Sequence, residues 1–231
     1  MTRPPFHADQ VGSLLRPPEL REARSAKVSP EELKEVEDRC IARAVKRQEE
    51  IGLQSITDGE FRRDFWHLDF LKQLDGIELK PVSGMTFNAA LKDKPADLAV
   101  TMHTCRGNFR STWFAAGGYQ DEVVRAMFSA NVDGFFMEYD SERAGGFEPL
   151  RLLPKGKKLV LGLVTTKSGA LEPKDALKRR IDEAAKQVPL ENLCLSPQCG
   201  FSSTHHGNLL TEDEQWRKLA RVVEVAQEVW H

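Results

Sequence analysis

The chain has 231 residues, 40% hydrophobic and 29% charged, with 33 Lys and Arg against 35 Asp and Glu for a net charge of −2. This balance excludes a nucleic-acid binder that works by bulk electrostatics, and the apolar share excludes a disordered chain. No apolar run approaches the roughly 20 residues of a membrane span, Met1 to His7 lacks the apolar core of a signal peptide, and four cysteines make no disulfide scaffold, so the expected compartment is the cytoplasm, with reduced thiols.

Ser29-Pro30-Glu31-Glu32 marks a helix start, with Ser29 as N-cap and Glu32 completing a capping box; the helix is expected to reach about residue 50 and stop at Gly52. Residues 54–57 read as a short strand ending at Asp58-Gly59-Glu60. A helical pattern follows over about 64–74, then a hairpin-like stretch over about 77–87 and a polar connector over 88–97. From there strands and helices alternate: a strand at 98–103, a helix at 118–130, a Phe-rich strand at 132–138. Residues 158–164 (Lys-Leu-Val-Leu-Gly-Leu-Val) have no polar alternation, the mark of a strand buried on both faces of a parallel sheet. A helix at 173–187, a strand at 192–196 and a final helix from the capping box at Thr211 to Trp230 complete the series.

Repeated strand–helix units with polar residues just after the strands indicate a (β/α)8 TIM-barrel type of α/β fold. It is abbreviated, because six strands can be identified where a closed barrel has eight. A doubly wound sheet is the alternative, but the glycine-rich first turn that usually announces it is missing. No linker divides the chain, so residues 1–231 are expected to form one domain.

His103-Thr104-Cys105 stands at a strand end, and a spacing of two places imidazole and thiol on one face. Glu138 closes the next strand, and Cys199 follows the last one in Leu195-Ser196-Pro197-Gln198-Cys199-Gly200. In a parallel sheet all four converge on one rim, where two thiolates, an imidazole and a carboxylate suit zinc. The competing reading takes Cys105 and Cys199 as buried apolar thiols, like Cys40 and Cys194. His205 and His206 are rival ligands, assigned instead to a solvated loop. Ser13 and Glu60 follow strand-like segments and could hold a small ammonium-bearing substrate, against a plain reading as turn and surface residues. Arg106, Arg143 and Lys167 could bind an acidic group, with solvated surface charge as the default.

His103-Thr104-Cys105-Arg106-Gly107-Asn108, the stretch from Glu138 to Gly145, and Leu195 to Phe201 resemble the cobalamin-independent methionine synthase family, in particular short members with only the catalytic barrel. Phe6 to Ser13 and Thr57-Asp58-Gly59-Glu60 match the N-terminal motifs of that barrel. The resemblance implies a TIM barrel whose zinc activates the homocysteine thiol for transfer of a methyl group from a methyl-tetrahydrofolate. It maps His103, Cys105, Glu138 and Cys199 onto the metal ligands, and Ser13 and Glu60 onto positions that hold homocysteine. One departure stands out. Family members carry a long segment, with an Asp-Glu-Pro motif, where this chain has only a short bridge near 87–98, so the resemblance implies an internal deletion. An opened barrel is expected to self-associate, because lost strands leave unpaired edges. Two other functions are compatible with the motifs: zinc-dependent alkyl transfer to another thiol, as in epoxide:coenzyme M transferases, and a truncated zinc-binding remnant without turnover.

Overall fold

The computed structural model describes residues 4–63, 95, 97–115 and 117–230. The expected helix at 64–74, the hairpin-like stretch at 77–87 and nearly all of the connector at 88–97 lie outside the described residues. Two helices come first, α1 (Pro18–Ala26) and α2 (Pro30–Glu50). Helix α2 starts as its sequence predicts: the Ser29 hydroxyl accepts from the Glu32 N–H at 3.2 Å. It buries Val36, Cys40, Ala44 and Gln48, a four-residue spacing that keeps one face toward the core.

Then come β1 (Thr101–Thr104), α3 (Asp121–Phe128), β2 (Gly134–Glu138), β3 (Lys158–Val164), α4 (Lys174–Ala185), β4 (Leu193–Pro197) and α5 (Glu212–Trp230). The four strands form one parallel sheet in the order β1-β2-β3-β4. Two short 3-10 turns, Glu142–Ala144 and Glu148–Leu152, stand between β2 and β3 where the other crossovers hold helices. Helix α5 opens on the expected capping box: Thr211 Oγ1 accepts from Glu214 N at 3.2 Å, and Glu214 Oε2 accepts from Thr211 N at 2.7 Å.

The sheet continues past β4 through the N-terminal segment. Asp9 N donates to Leu195 O at 3.0 Å and Leu195 N to His7 O at 2.8 Å, a parallel bridge at Ala8. The next segment, 54–57, differs from the expected strand. Its backbone is bonded by a buried side chain instead: Gln48 Oε1 accepts from Thr57 N at 3.0 Å, and Gln48 Nε2 donates to Thr57 O at 2.8 Å. With the backbone groups of Thr57 satisfied by one glutamine, this half-exposed segment makes no strand ladder.

The two faces of the sheet are packed separately. Leu159, Leu161, Leu195 and Phe135 join the helices in one large core. Phe136, Val160 and Cys194 form a second small cluster with Val11. Register explains it, because His103 pairs with Phe136, Phe136 with Val160 and Val160 with Cys194, one row pointing away from the helices. Helices on one face of the sheet and its own side chains layered on the other agree with a barrel-type sheet, whereas a doubly wound sheet would carry helices on both.

Candidate metal centre and adjoining cavity

His103 belongs to the interior row, so the residues two positions on, Cys105 after β1 and Glu138 at the end of β2, lie one layer higher on the same face. Gly162 pairs with Glu138 on β3, where a Cβ would lie 2.7 Å from Gln198 Cα and 2.9 Å from Met137 O. The absent side chain lets the chain after β4 come close, and that chain delivers Cys199. The ligand atoms of His103, Cys105, Glu138 and Cys199 all lie within 4.8 Å of one another.

Both ring nitrogens of His103 and Oε1 of Glu138 are buried without a hydrogen-bond partner, although Glu138 is fully enclosed. Orphaned buried polar atoms are costly unless something else satisfies them. His103 Nε2 and Glu138 Oε1 stand 3.6 Å apart, close to the roughly 3.5 Å between ligands on a tetrahedral ion with bonds of about 2.0–2.3 Å. The donor set, two sulfurs, a nitrogen and an oxygen, fits zinc.

Electrostatics binds the four into one unit. Burial opposes the imidazolium of His103, but Cys105 and Glu138 outweigh it and hold the group at about 9. The bond from Cys199 pulls Cys105 down to about 3, with burial opposing and His103 assisting. That same contact, and burial after it, push Cys199 well above the usual thiol range. Burial also raises Glu138. Cys194, away from the cluster, is pushed up to about 12 by burial, as an inert core thiol would be; Cys40 is likewise buried and raised.

The surrounding shell comes from several loops. Tyr119 OH accepts from Glu138 N at 3.1 Å, where β1 has ended and offers no partner. Arg143 Nη2 lies 3.3 Å from Glu138 Oε2. Cys199 Sγ and Ser203 Oγ are 3.4 Å apart. Asn108 Nδ2 donates to Gly200 O at 3.2 Å, joining the loop after Cys105 to the turn after Cys199.

A cavity of about 540 Å³ opens beside the cluster, lined by His103, Cys105, Cys199, Ser13, Glu60 and Arg63 among others. The structure thus brings Ser13 and Glu60 into one cavity with three of the four expected ligands, His103, Cys105 and Cys199. Ser13 Oγ accepts from Ser202 N at 3.3 Å, and a Cβ at Gly200 would lie 1.8 Å from that oxygen. Glu60 adopts φ 59°, its N–H bonded to Asp58 Oδ1 at 2.8 Å, and its carboxylate pairs with Arg63. Val11, Val100, Met102 and Val132 supply apolar wall. A second cavity, of about 580 Å³, includes Pro5, His7, Lys158 and Cys194; it touches none of the four clustered ligands.

His205 and His206 stay outside the cluster, as expected, with His206 edge-on to Phe109 at 5.4 Å. Arg106, Arg143 and Lys167 differ from the solvated charges expected of them. Arg106 donates to Arg143 O at 3.0 Å, and Lys167, nearly buried, donates to Gly107 O at 3.1 Å. They fasten loops around the cluster, because buried carbonyls after strand ends need donors. Sequence reasoning passed over Tyr119, Arg63 and Ser203. The Arg62-Arg63 pair after Glu60 was a visible signal for the second; nothing local marks the other two.

Residues 90–228 match the family model described as the catalytic domain of cobalamin-independent synthase. The uncharacterised proteins YxjG and YxjH of Bacillus subtilis (strain 168) are 35% and 34% identical; the matches span 99% and 98% of this chain and 96% and 95% of theirs. A Listeria monocytogenes protein of the vitamin-B12-independent methionine synthase type is 29% identical, with TM-score 0.77 and full coverage of both chains. A B12-independent methionine synthase from Shewanella sp. W3-18-1, solved with selenomethionine, is 14% identical with TM-score 0.69 over 97% of this chain and 98% of its own, a likeness of fold. The α/β architecture is of the TIM-barrel type that these relatives share, and this chain belongs to the cobalamin-independent methionine synthase family.

Proposed function

We propose that this protein is a zinc-dependent methyltransferase that moves a methyl group from a methyl-tetrahydrofolate to the thiol of homocysteine, giving methionine. The reading takes residues 1–231 as one catalytic barrel with an internal deletion near 87–98. The observation that carries it is the convergence of two thiols on the orphaned nitrogens of His103 and the orphaned Oε1 of Glu138. His103, Cys105, Glu138 and Cys199 would hold the ion. Zinc bound there would supply Lewis acidity that lowers the pKa of an acceptor thiol, so that it gives up its proton to solvent at neutral pH.

The chain's own residues do the rest. Glu60 offers a carboxylate to the ammonium of an amino-acid thiol, and Ser13, on the turn beside Cys199, offers a hydroxyl. Arg63, which pairs with the Glu60 carboxylate in the cavity, would meet the substrate carboxylate. The apolar walls from Val11, Val100, Met102 and Val132 exclude water, which strengthens each of these charged contacts.

The test is methionine formation by purified protein whose zinc content is measured on the same sample. Methionine appearing with homocysteine and methyl-tetrahydrofolate supports the reading; none, at one zinc per chain, overturns it. Arg63 also favours one rival, since a cation in the cavity suits a sulfonate thiol. Arg63-dependent binding of coenzyme M, with none of homocysteine, would establish that rival.

A further inference from the structure

The two oxygens of Glu138 have different surroundings. Oε1 faces His103 Nε2 at 3.6 Å and has no hydrogen-bond partner, whereas Oε2 lies 3.3 Å from Arg143 Nη2. The same nitrogen is 3.7 Å from Asp140 Oδ1, and Nη1 of Arg143 donates to Ala115 O at 3.0 Å. Arg143 therefore spans the carboxylate at the end of β2 and the loop that carries Cys105.

What keeps the guanidinium there is an aromatic plate. Arg143 Cζ lies 4.5 Å from the centroid of the Trp113 ring, and Lys167 Nζ lies 4.9 Å from it. Trp113 is 47% exposed, so only about half of its surface is buried, and the two cations on its indole add to that burial in holding it beside Arg143. Lys167 in turn donates to Gly107 O, two residues past Cys105.

We propose that Arg143, held against Trp113, is a positioning residue that occupies Glu138 Oε2, leaves Oε1 alone to the metal and, through Oε2, ties the carboxylate to the loop bearing Cys105. The inference rests on the zinc reading above and deepens it. Two thiolates and a carboxylate around a doubly charged ion leave one net negative charge, and a fixed guanidinium beside the carboxylate offsets it. Lysine could not replace the arginine, because one ammonium cannot bond Glu138, bond Ala115 and stack on the indole together.

The experiment measures zinc affinity by chelator competition, with the absorption bands of the cobalt(II)-substituted protein as a second readout of ligand geometry. Arg143→Ala is expected to weaken zinc about ten- to a hundredfold and to shift the cobalt bands. Trp113→Ala is expected to weaken zinc about two- to tenfold, with Trp113→Phe restoring most of it. Absence of zinc from the wild type would overturn the zinc reading itself. Tight zinc in the wild type, with affinity and cobalt bands unchanged in both alanine variants, would overturn this inference alone. Should Arg143→Ala fail to fold, the Trp113 pair decides: equal affinity for Ala and Phe contradicts the proposal, and recovery with Phe supports it.

Discussion

Tyr119→Phe isolates one atom beside the candidate metal centre. The Tyr119 oxygen accepts from Glu138 N at 3.1 Å and lies 3.3 Å from Thr104 Oγ1. β1 ends at Thr104, so the Glu138 N–H has no strand partner, and its residue is fully buried. Phenylalanine preserves the ring, including its packing on Tyr139 at 5.0 Å between centroids, and removes only the hydroxyl, whose donated contact to Thr104 O is long at 3.5 Å. Thr104 keeps a second bond, from Oγ1 to Phe136 O at 3.0 Å, so its hydroxyl is not stranded. The cost is therefore that of one buried unsatisfied N–H, about 1–3 kcal/mol. For a chain of this size each kcal/mol lowers Tm by roughly 2–4 °C. Urea unfolding of the metal-free protein measures the first and a thermal melt the second. A loss below about 0.5 kcal/mol would refute the assignment of Tyr119 as the cap of that strand end.

Cys105→Ser and Cys199→Ser should each strip zinc from the purified protein, while Cys40→Ser and Cys194→Ser should retain it; elemental analysis decides, and zinc kept by both of the first pair sinks the ligand set. Glu60→Gln should weaken homocysteine binding by about 1.5–3 kcal/mol, read by calorimetry, since it removes a charge-assisted contact from a partly desolvated cavity; unchanged affinity would confine Glu60 to its ion pair with Arg63. Gln48→Leu should cost roughly 2–5 kcal/mol of stability, because it strands Thr57 N–H and C=O at once, and a near-wild-type denaturation midpoint would show that another group takes its place.

Much of this arrangement was legible where local rules dominate. Residues 158–164 announced β3 to the residue, with an apolar run that follows Lys158 without polar alternation, and Ser29 and Thr211 placed two helix starts by their caps. Strand periodicity and strand ends brought the four candidate ligands into view beside a plain reading as buried thiols, and the resemblance to the methionine synthase family singled them out. Residues 54–57 misled, since the short stretch before Asp58-Gly59 reads as a strand but its backbone partner at Thr57 is a glutamine side chain from α2. Helix α1 went unread, as it begins at Pro18 with no side-chain cap to mark it. Arg106, Arg143 and Lys167 looked like surface charges, and only the folded loops show that backbone carbonyls and Glu138 enclose them. Tyr119 has no local signal at all. Its role depends on where β1 stops, which is a property of the tertiary structure.

The central claim, a zinc ion held by His103, Cys105, Glu138 and Cys199 that engages the acceptor thiol, is tested most directly by X-ray absorption at the zinc edge. One zinc per chain with two sulfur neighbours at about 2.3 Å and two nitrogen or oxygen neighbours is expected for the free protein. Addition of homocysteine should raise the sulfur count to three. A protein that binds no zinc, or whose zinc shows no sulfur neighbour, would contradict the account.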